Sequence, residues 1–444
     1  MDAEFFKKSY VHFLKKIKQK GVIKIGDVSF VTDGIHESID FDTESNINLI
    51  SAKSPKENYF DLSSNHYISE SHHYKNPRTQ LKPNDVIIST VGTIGNCAVV
   101  KEDILPANSD RHVGIIRIKE KLKPYFLSTF LLSKYGRFQT FRESTGNVQL
   151  NLFIYKIKEL LVPDLSDLFQ EQIEKLCKTS FEYRTNSSVI YTQAESILLQ
   201  EIGLNDFEPS KKAVNIKSFS KSFATTGRLD AEYYQPKYEQ YENLIKSQKH
   251  TYVKDEYLHI VKKSKKEKTG YNYIEIGDVN IGNGSNSSNY VLTDDLPANA
   301  KTLVQKGDIL ISNVRPYRGA VTIIDSDITD LIVSGAFTVL RKNPNSIFNN
   351  QVLQVLLRSK VYKDWVLKYN VGTSYPVIKD KDILELPIPF IDTNKQEKIA
   401  SLIDESFALK KQSEHLLEVA KKAVEIAIEN NEQVALNYIN ENTN

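Results

Sequence analysis

Residues 84–91 read Asn-Asp-Val-Ile-Ile-Ser-Thr-Val, and residues 307–314 read Gly-Asp-Ile-Leu-Ile-Ser-Asn-Val. In both octets an aspartate precedes a continuous apolar run, which is the pattern of a short strand buried on both faces. The octets lie 223 positions apart in a chain of 444 residues. An interval this long indicates a duplicated domain and not a solenoid of short repeats.

Other segments on both sides of the octets match at offsets of 226 to 251 positions. The matching pairs are residues 1–6 with 229–234, 25–28 with 276–279, Gly146 with Gly372, Pro163 with Pro389, and Gln170-Glu171 with Gln396-Glu397. The stretches between these segments no longer align. Two equivalent scaffolds that carry unlike connecting segments predict one molecule that recognises two different things.

The clearest periodicity follows each duplicated region, where apolar and small residues alternate three and four positions apart, as in a heptad repeat. We call these positions the helix seam, and each position in the first helix has its counterpart 226 residues later. The seam consists of Ile173, Leu176, Ser180, Tyr183, Ser187, Ile190, Ala194 and Ile197, and of Ile399, Leu402, Ser406, Leu409, Ser413, Leu416, Ala420 and Ala423. The pattern predicts two helices that pack on each other, with small residues permitting close approach. The alternative is that each helix covers only its own domain.

These patterns predict an α+β protein with two duplicated globular domains separated by two long, paired, coiled-coil-like helices. The predicted segments are 1–165 for the first domain, 166–203 for the first long helix, 204–228 for a polar linker, 229–391 for the second domain and 392–438 for the second long helix. Within the domains, further helices are predicted around 124–142 and 348–369.

The composition is that of an ordinary soluble protein, with 40% hydrophobic and 26% charged residues. No apolar run approaches the roughly 20 residues that cross a bilayer, so we expect a cytoplasmic protein without a membrane partner. Cys97 and Cys177 lack Cys-x-x-Cys spacing, which disfavours a disulfide framework or a zinc site. The net charge of +2 is only a modest sign of nucleic-acid binding.

Several motifs on which DNA enzymes depend are missing from the sequence. No two of the 14 prolines are adjacent, as a Pro-Pro-aromatic methyltransferase loop requires, and no glutamate has lysine two positions on. A phosphate-binding Gly-x-x-x-x-Gly-Lys loop is also absent. We therefore expect no catalytic, cofactor-binding or metal-binding residues. His66, His72 and His73 are close enough in sequence to suggest a metal, but loop histidines more often hydrogen-bond or contact phosphate.

The remaining signals suit DNA recognition. Arg315-Pro316-Tyr317-Arg318 follows a buried strand, and arginine can pair with guanine as asparagine and glutamine can with adenine. The candidate DNA contacts are Lys75, Arg78, Lys82, Thr93, Asn96, Arg111, Asn147 and Gln149 in the first half, and Lys262, Lys263, Lys265, Lys266, Asn283, Arg315, Tyr317, Arg318, Ser374 and Tyr375 in the second. Each basic residue could instead be a solvated surface group, and each loop, including 282–286, a plain structural turn.

In the order and duplication of its segments the chain resembles the specificity subunit of type I restriction-modification systems. The segments that carry the resemblance are Lys82–Thr90 with Gly92 and Gly95, Lys306–Ser312, Leu386–Pro389 leading into Gln396–Ile399, and Arg228–Tyr238. The resemblance extends over nearly the whole chain, although no single motif is as specific as a metal signature.

The resemblance implies that the two globular domains are target-recognition domains, each reading one half of a bipartite DNA target, and that the paired helices fix the unread spacer. It also implies double-stranded DNA, two modification subunits and restriction subunits as partners. These partners, and not this chain, would hold S-adenosylmethionine, ATP and Mg²⁺, and would methylate adenine at N6. The chain is then not an enzyme. Two alternatives stay open: a stand-alone DNA methyltransferase or nuclease, and a protein-interaction scaffold without DNA readout.

Overall fold

The computed structural model describes residues 7–63, 65–146, 149–261, 263–372 and 375–443. The chain divides into two compact units: Met1–Thr185 with Leu409–Asn444, and Asn186–Ala408. The predicted α+β class and the duplication are confirmed, because each unit mixes helices with strands and contains a four-stranded sheet of equivalent strand order. Within the described residues, no helix is both long and apolar enough to cross a membrane.

The first unit is built around a four-stranded antiparallel sheet and a smaller three-stranded sheet. Its strands are Val22–Lys24, Ser29–Asp33, Ile47–Ile50, His66–Ile68, Val86–Ser89, Cys97–Val99, Ala107–Ser109, Val113–Ile118 and Leu161–Pro163. Its α-helices are Lys8–Lys18, Ile25–Val28, Glu70–Lys75, Pro124–Leu132, Lys134–Glu143, Ile154–Lys158 and Glu432–Thr443, together with parts of the two long helices. Short 3₁₀ helices are Pro77–Thr79 and Glu102–Ile104.

The second unit repeats the four-stranded sheet with the same strand order. Its strands are His250–Tyr252, Tyr257–His259, Gly270–Ile274, Asn289–Leu292, Ala300–Leu303, Ile309–Ser312, Val321–Ile323, Leu331–Ser334, Phe337–Lys342 and Pro387–Pro389. Its α-helices are Phe223–Thr226, Pro236–Lys246, Val253–Glu256, Asn350–Arg358, Lys360–Trp365 and Asp380–Leu384. Its 3₁₀ helices are Phe219–Lys221, Ala231–Tyr234, Ile276–Asp278, Thr293–Asp295, Pro316–Arg318 and Val366–Tyr369.

Each octet forms an inner strand of its four-stranded sheet, and all four residues of each strand are buried. The aspartate before each strand forms a bidentate ion pair with an arginine on the neighbouring strand. Arg117 donates to Asp85 at 2.8 and 2.7 Å, and Arg341 donates to Asp308 at 2.7 and 2.8 Å. The aspartate side chains are only 1% and 0% exposed, whereas the arginines are 26% and 33% exposed, so each pair joins a buried carboxylate to a guanidinium that water still reaches.

The repeated glutamines fasten the start of each long helix to its own domain. The backbone N–H of Lys123 donates to Gln170 Oε1 at 2.9 Å, and that of Asn349 donates to Gln396 Oε1 at 2.8 Å. Both acceptors are buried, and their amide nitrogens donate to nearby backbone carbonyls. The glutamine repeat is therefore structural in both units.

The long helices are Asp167–Glu201 and Thr393–Glu429. The first ends close to its predicted limit, before Gly203, whose φ of +68° is typical of a residue that terminates a helix. The second ends at Glu429, although the sequence predicts a helix to 438. Asn431 interrupts it, because its side chain accepts the N–H of Val434 and caps a new helix.

The two long helices pair within each unit, as predicted. In the first unit the Ser180 hydroxyl donates to the Ser413 carbonyl at 2.9 Å, and in the second the Ser187 hydroxyl donates to the Ser406 carbonyl at 2.7 Å. All residues of the helix seam are buried or half-buried. The direct serine contacts oppose the alternative in which each helix covers only its own domain.

Replacing Ser187 by alanine should lower the free energy of unfolding of the second unit by about 1 kcal/mol, since one buried hydrogen bond is lost. Ser406 keeps its own bond to the Ser187 carbonyl, which limits the effect. Urea denaturation measures the change. Ser188→Ala, at an exposed neighbour, is the control, and equal losses in both variants would contradict the packing role.

Candidate DNA interface

Three loops meet at the same place in each unit. We call them the exit loop (90–96 and 313–319), the strand turn (110–112 and 335–336) and the hairpin loop (its described residues are 145–146 with 149–152, and 371–372 with 375–378). The N–H of Thr90 donates to His112 at 3.0 Å, and its carbonyl accepts from Leu152 at 2.9 Å. Asn313 makes the equivalent bonds to Ala336 at 2.8 Å and from Ile378 at 2.9 Å. One residue of each exit loop thus joins all three loops, and we call the result the three-loop surface.

The side chains on the two three-loop surfaces differ. In the first unit the exit loop offers glycine and threonine, and the exposed cation, Arg111, is on the strand turn. In the second unit the strand turn is Gly335-Ala336, and Arg315 and Arg318 are on the exit loop. The same backbone arrangement therefore presents positive charge at different points.

The second exit loop holds Arg315 in a defined geometry. Its φ of +48° is unusual for a residue other than glycine, and its N–H donates to the Pro376 carbonyl at 2.8 Å. The guanidinium lies 4.3 Å from the ring centroid of Tyr375, which is 62% exposed. This cation–π contact joins the exit and hairpin loops through two side chains that the sequence singled out separately. Tyr317 and Arg318 are exposed on the same loop.

A lysine that the sequence analysis missed completes this surface. A Cβ atom at Gly335 would lie 3.1 Å from the Lys301 side chain, so Lys301 reaches the strand turn. The N–H of Ser264 donates to the Lys301 carbonyl at 2.7 Å, which brings Lys263 and Lys265 beside it. No local pattern identifies Lys301, because its position depends on pairing between distant strands.

The first three-loop surface is concave. A cavity of about 640 Å³ is lined by Thr93 and Gln149, two predicted contacts, together with Lys53. A neighbouring cavity of about 300 Å³ is lined by Arg111 and by Phe153, whose ring stacks on Tyr155. Both cavities share Val91 and His112. Lys53, His112 and Phe153 were not predicted, since nothing in their local sequence marks them as neighbours of the exit loop.

Other predicted contacts are engaged elsewhere. Arg78 donates to the Asp33 carboxylate at 2.9 Å and to two backbone carbonyls. Burial alone would raise the pKa of Asp33, but hydrogen bonds from His36 and Arg78 lower it overall. Lys75 pairs with Glu37 at 2.9 Å. Arg78 and Lys75 therefore bind nearby protein groups in this structure, while their side chains stay 48% and 67% exposed.

Asn96 and Lys82 also lie apart from the presented surface. The Asn96 amide oxygen accepts from Arg137 at 2.8 Å, so it helps to hold the exit loop. Lys82 precedes the strand Val86–Ser89 and therefore lies at its opposite end. In the second unit, Lys266 is half-buried and Asn283 lies half-buried in a turn. The predicted contacts Asn147, Lys262 and Ser374 are outside the described residues.

The histidines and cysteines that the sequence raised have other surroundings. His72 is buried, and His73 contacts the Asn108 side chain. Among the described residues, no group of three side chains is arranged to hold a metal. Cys97 and Cys177 are buried thiols, and burial raises the pKa of each to about 12.

Residues 255–419, which include the second three-loop surface, match the family described as "Type I restriction modification DNA specificity domain". This match covers less than half of the chain and lies in the second duplicated domain and the second long helix. Over 135 residues it is 30% identical to the HindI type I restriction enzyme specificity subunit of Haemophilus influenzae. That match covers 29% of this chain and 29% of the relative, so it spans less than a third of either protein.

Two solved structures are also similar to this chain. The S subunit of a type I restriction-modification system from M. genitalium is 13% identical, with a TM-score of 0.42, over 94% of this chain and 95% of that one. The HsdS subunit from Thermoanaerobacter tengcongensis is 16% identical, with a TM-score of 0.30, over 92% and 96%.

Proposed function

We propose that this chain is the non-catalytic, cytoplasmic subunit that gives a type I restriction-modification complex its DNA sequence specificity. Each unit reads one half of a bipartite target through its three-loop surface. The observation that carries the proposal is that the two surfaces are fastened by equivalent backbone hydrogen bonds but present different side chains. Two surfaces with the same backbone arrangement but different side chains suit two different half-sites.

The chemistry of the second surface supports contact with base edges and phosphates. Arg315 and Arg318 can each pair with a guanine edge in the major groove, and Tyr375 orients the first of them. Lys263, Lys265 and Lys301 lie beside the same loops and suit phosphate oxygens, which position a protein on the duplex. Because the whole chain carries only +2, partner subunits should add backbone affinity.

The partners in this proposal are two modification subunits, one for each unit, and restriction subunits. They hold S-adenosylmethionine, ATP and Mg²⁺ and carry out N6-adenine methylation and cleavage. The paired long helices set the spacer between the half-sites. The absence from the sequence of methyltransferase, nuclease and phosphate-loop motifs supports this division of labour.

Exchange of residues 20–160 for the equivalent region of a relative should change one half of the methylated motif and leave the other intact. Methylome sequencing of cells with the natural gene, the exchanged gene and no gene measures this. The reciprocal exchange of residues 246–386 is the matched control and should change only the other half. If deletion of the gene removed no bipartite methylated motif, the proposed function would be contradicted. If the exchange changed both halves of the motif, the proposal that each unit reads one half-site independently would be contradicted.

A further inference from the structure

Arg358, at the end of the helix Asn350–Arg358, is a buried cation, only 7% exposed. Its guanidinium donates to the Tyr191 hydroxyl at 2.8 Å, to the Gly319 carbonyl at 2.8 Å and to the Ile281 carbonyl at 2.9 Å. All three acceptors are neutral oxygens. A buried charge is tolerated only when its donors are satisfied, so Arg358 and these oxygens depend on one another.

The acceptors place Arg358 directly behind the second three-loop surface. Gly319 closes the exit loop that carries Arg315, and Ile281 belongs to the adjacent turn 281–284. One helical turn before Arg358, the buried Gln354 amide donates to the Gly284 carbonyl at 3.0 Å. The helix thus holds the exit loop and the adjacent turn at fixed points without reaching the surface itself.

The first unit fastens its exit loop from a different position. There Arg137, on the helix Lys134–Glu143, donates to the Ile94 carbonyl at 3.0 Å and to the Asn96 side chain at 2.8 Å. The position equivalent to Arg358 is Leu132, which is buried and apolar. The two units therefore use different arginines for the same task, and each can be altered separately.

We propose that Arg358 is a positioning residue for the half-site read by the second unit, and that Arg137 has this role in the first. The inference rests on the proposed function. Arg358 does not contact DNA. It fixes the backbone of the exit loop, so that Arg315 and its neighbours meet the base edges in one geometry, which recognition by paired hydrogen bonds requires.

The test uses the complex assembled from the full chain and its modification subunits, with duplexes substituted in either half-site. For Arg358→Gln, we expect the ratio of methylation rates on cognate and second-half-substituted duplexes to fall at least tenfold. The ratio for first-half substitutions should stay within twofold. Arg137→Gln should give the reverse pattern. Arg358→Lys should restore part of the discrimination, because lysine keeps the charge but lacks the planar fork.

The results of these assays separate the inference from its alternatives. If discrimination falls equally for both halves, Arg358 is merely structural and the inference is overturned. If wild-type complex shows no bipartite preference, the proposed function itself fails. Should Arg358→Gln not fold, Tyr191→Phe removes one acceptor while leaving both loop carbonyls, and it should give a smaller loss confined to the second half. An unchanged ratio in a folded Arg358→Gln complex would also overturn the inference.

Discussion

Asp308→Asn is expected to lower the free energy of unfolding of the second unit by about 3 kcal/mol. The carboxylate is fully buried and accepts both hydrogen bonds of the Arg341 fork, together with the N–H of Gln305 at 2.9 Å. Asparagine keeps one acceptor but buries an NH₂ group against N–H donors, while the guanidinium, 33% exposed, loses its carboxylate and keeps only partial solvation by water. Urea denaturation, with hydrogen exchange of the strand Ile309–Ser312, measures the loss and locates it.

Asp327→Asn is the matched control for this substitution. Asp327 also pairs with a cation, Lys306, at 3.1 Å, but its side chain is 86% exposed. Water solvates both groups after the change, so the expected effect is below about 1 kcal/mol. Asp85→Asn should repeat the large effect in the first unit. If Asp308→Asn cost no more than Asp327→Asn, the buried pair would not be a main support of the repeated sheet.

Arg315→Ala is expected to weaken binding of the assembled complex to its cognate duplex by about 10- to 100-fold, corresponding to the 1–3 kcal/mol of a bidentate base contact. One position in one half-site should lose its preference, because only a contact to a base edge carries sequence information. Fluorescence anisotropy titrations at fixed salt, with duplexes substituted at each position, measure both effects.

Lys306→Ala is the control for the loss of one positive charge away from the exit loop. Lys306 precedes the strand Ile309–Ser312, at the end opposite the exit loop, so its removal should change affinity less than twofold. A salt series separates the two kinds of contact, since loss of a phosphate contact weakens all sequences alike and reduces the salt slope by about one. Unchanged affinity and preference in Arg315→Ala would exclude this arginine as a base reader.

The sequence was sufficient for features that depend on local patterns. The apolar octets gave buried strands, and the three-four spacing gave the two long helices, because each pattern lies within one element. It overextended the second long helix, since the apolar pattern continues beyond Asn431 although that residue starts a new helix.

The candidate site was harder to predict from the sequence, because contacts between distant segments bring its residues together. The sequence suggested Arg78 as a DNA contact, but the fold places the Asp33 carboxylate beside it. No local sequence pattern identified Lys301 or Arg358, because the residues that they contact lie on other strands, turns and helices. Equivalent loops could be matched by their position in the repeat, but which side chains face outward depends on tertiary structure.

The hydrogen bonds that link all three loops at one residue are made by peptide groups: the N–H and C=O of Thr90 in one unit and of Asn313 in the other. Peptide groups are the same in every residue except proline, so the side chains above them can be replaced without opening the junction. New target preferences can therefore arise by single substitutions on an unchanged frame. Libraries randomised at Thr93, Arg111 and Gln149 should keep a high fraction of folded members, which makes the first unit a practical starting point for selecting new sequence preferences.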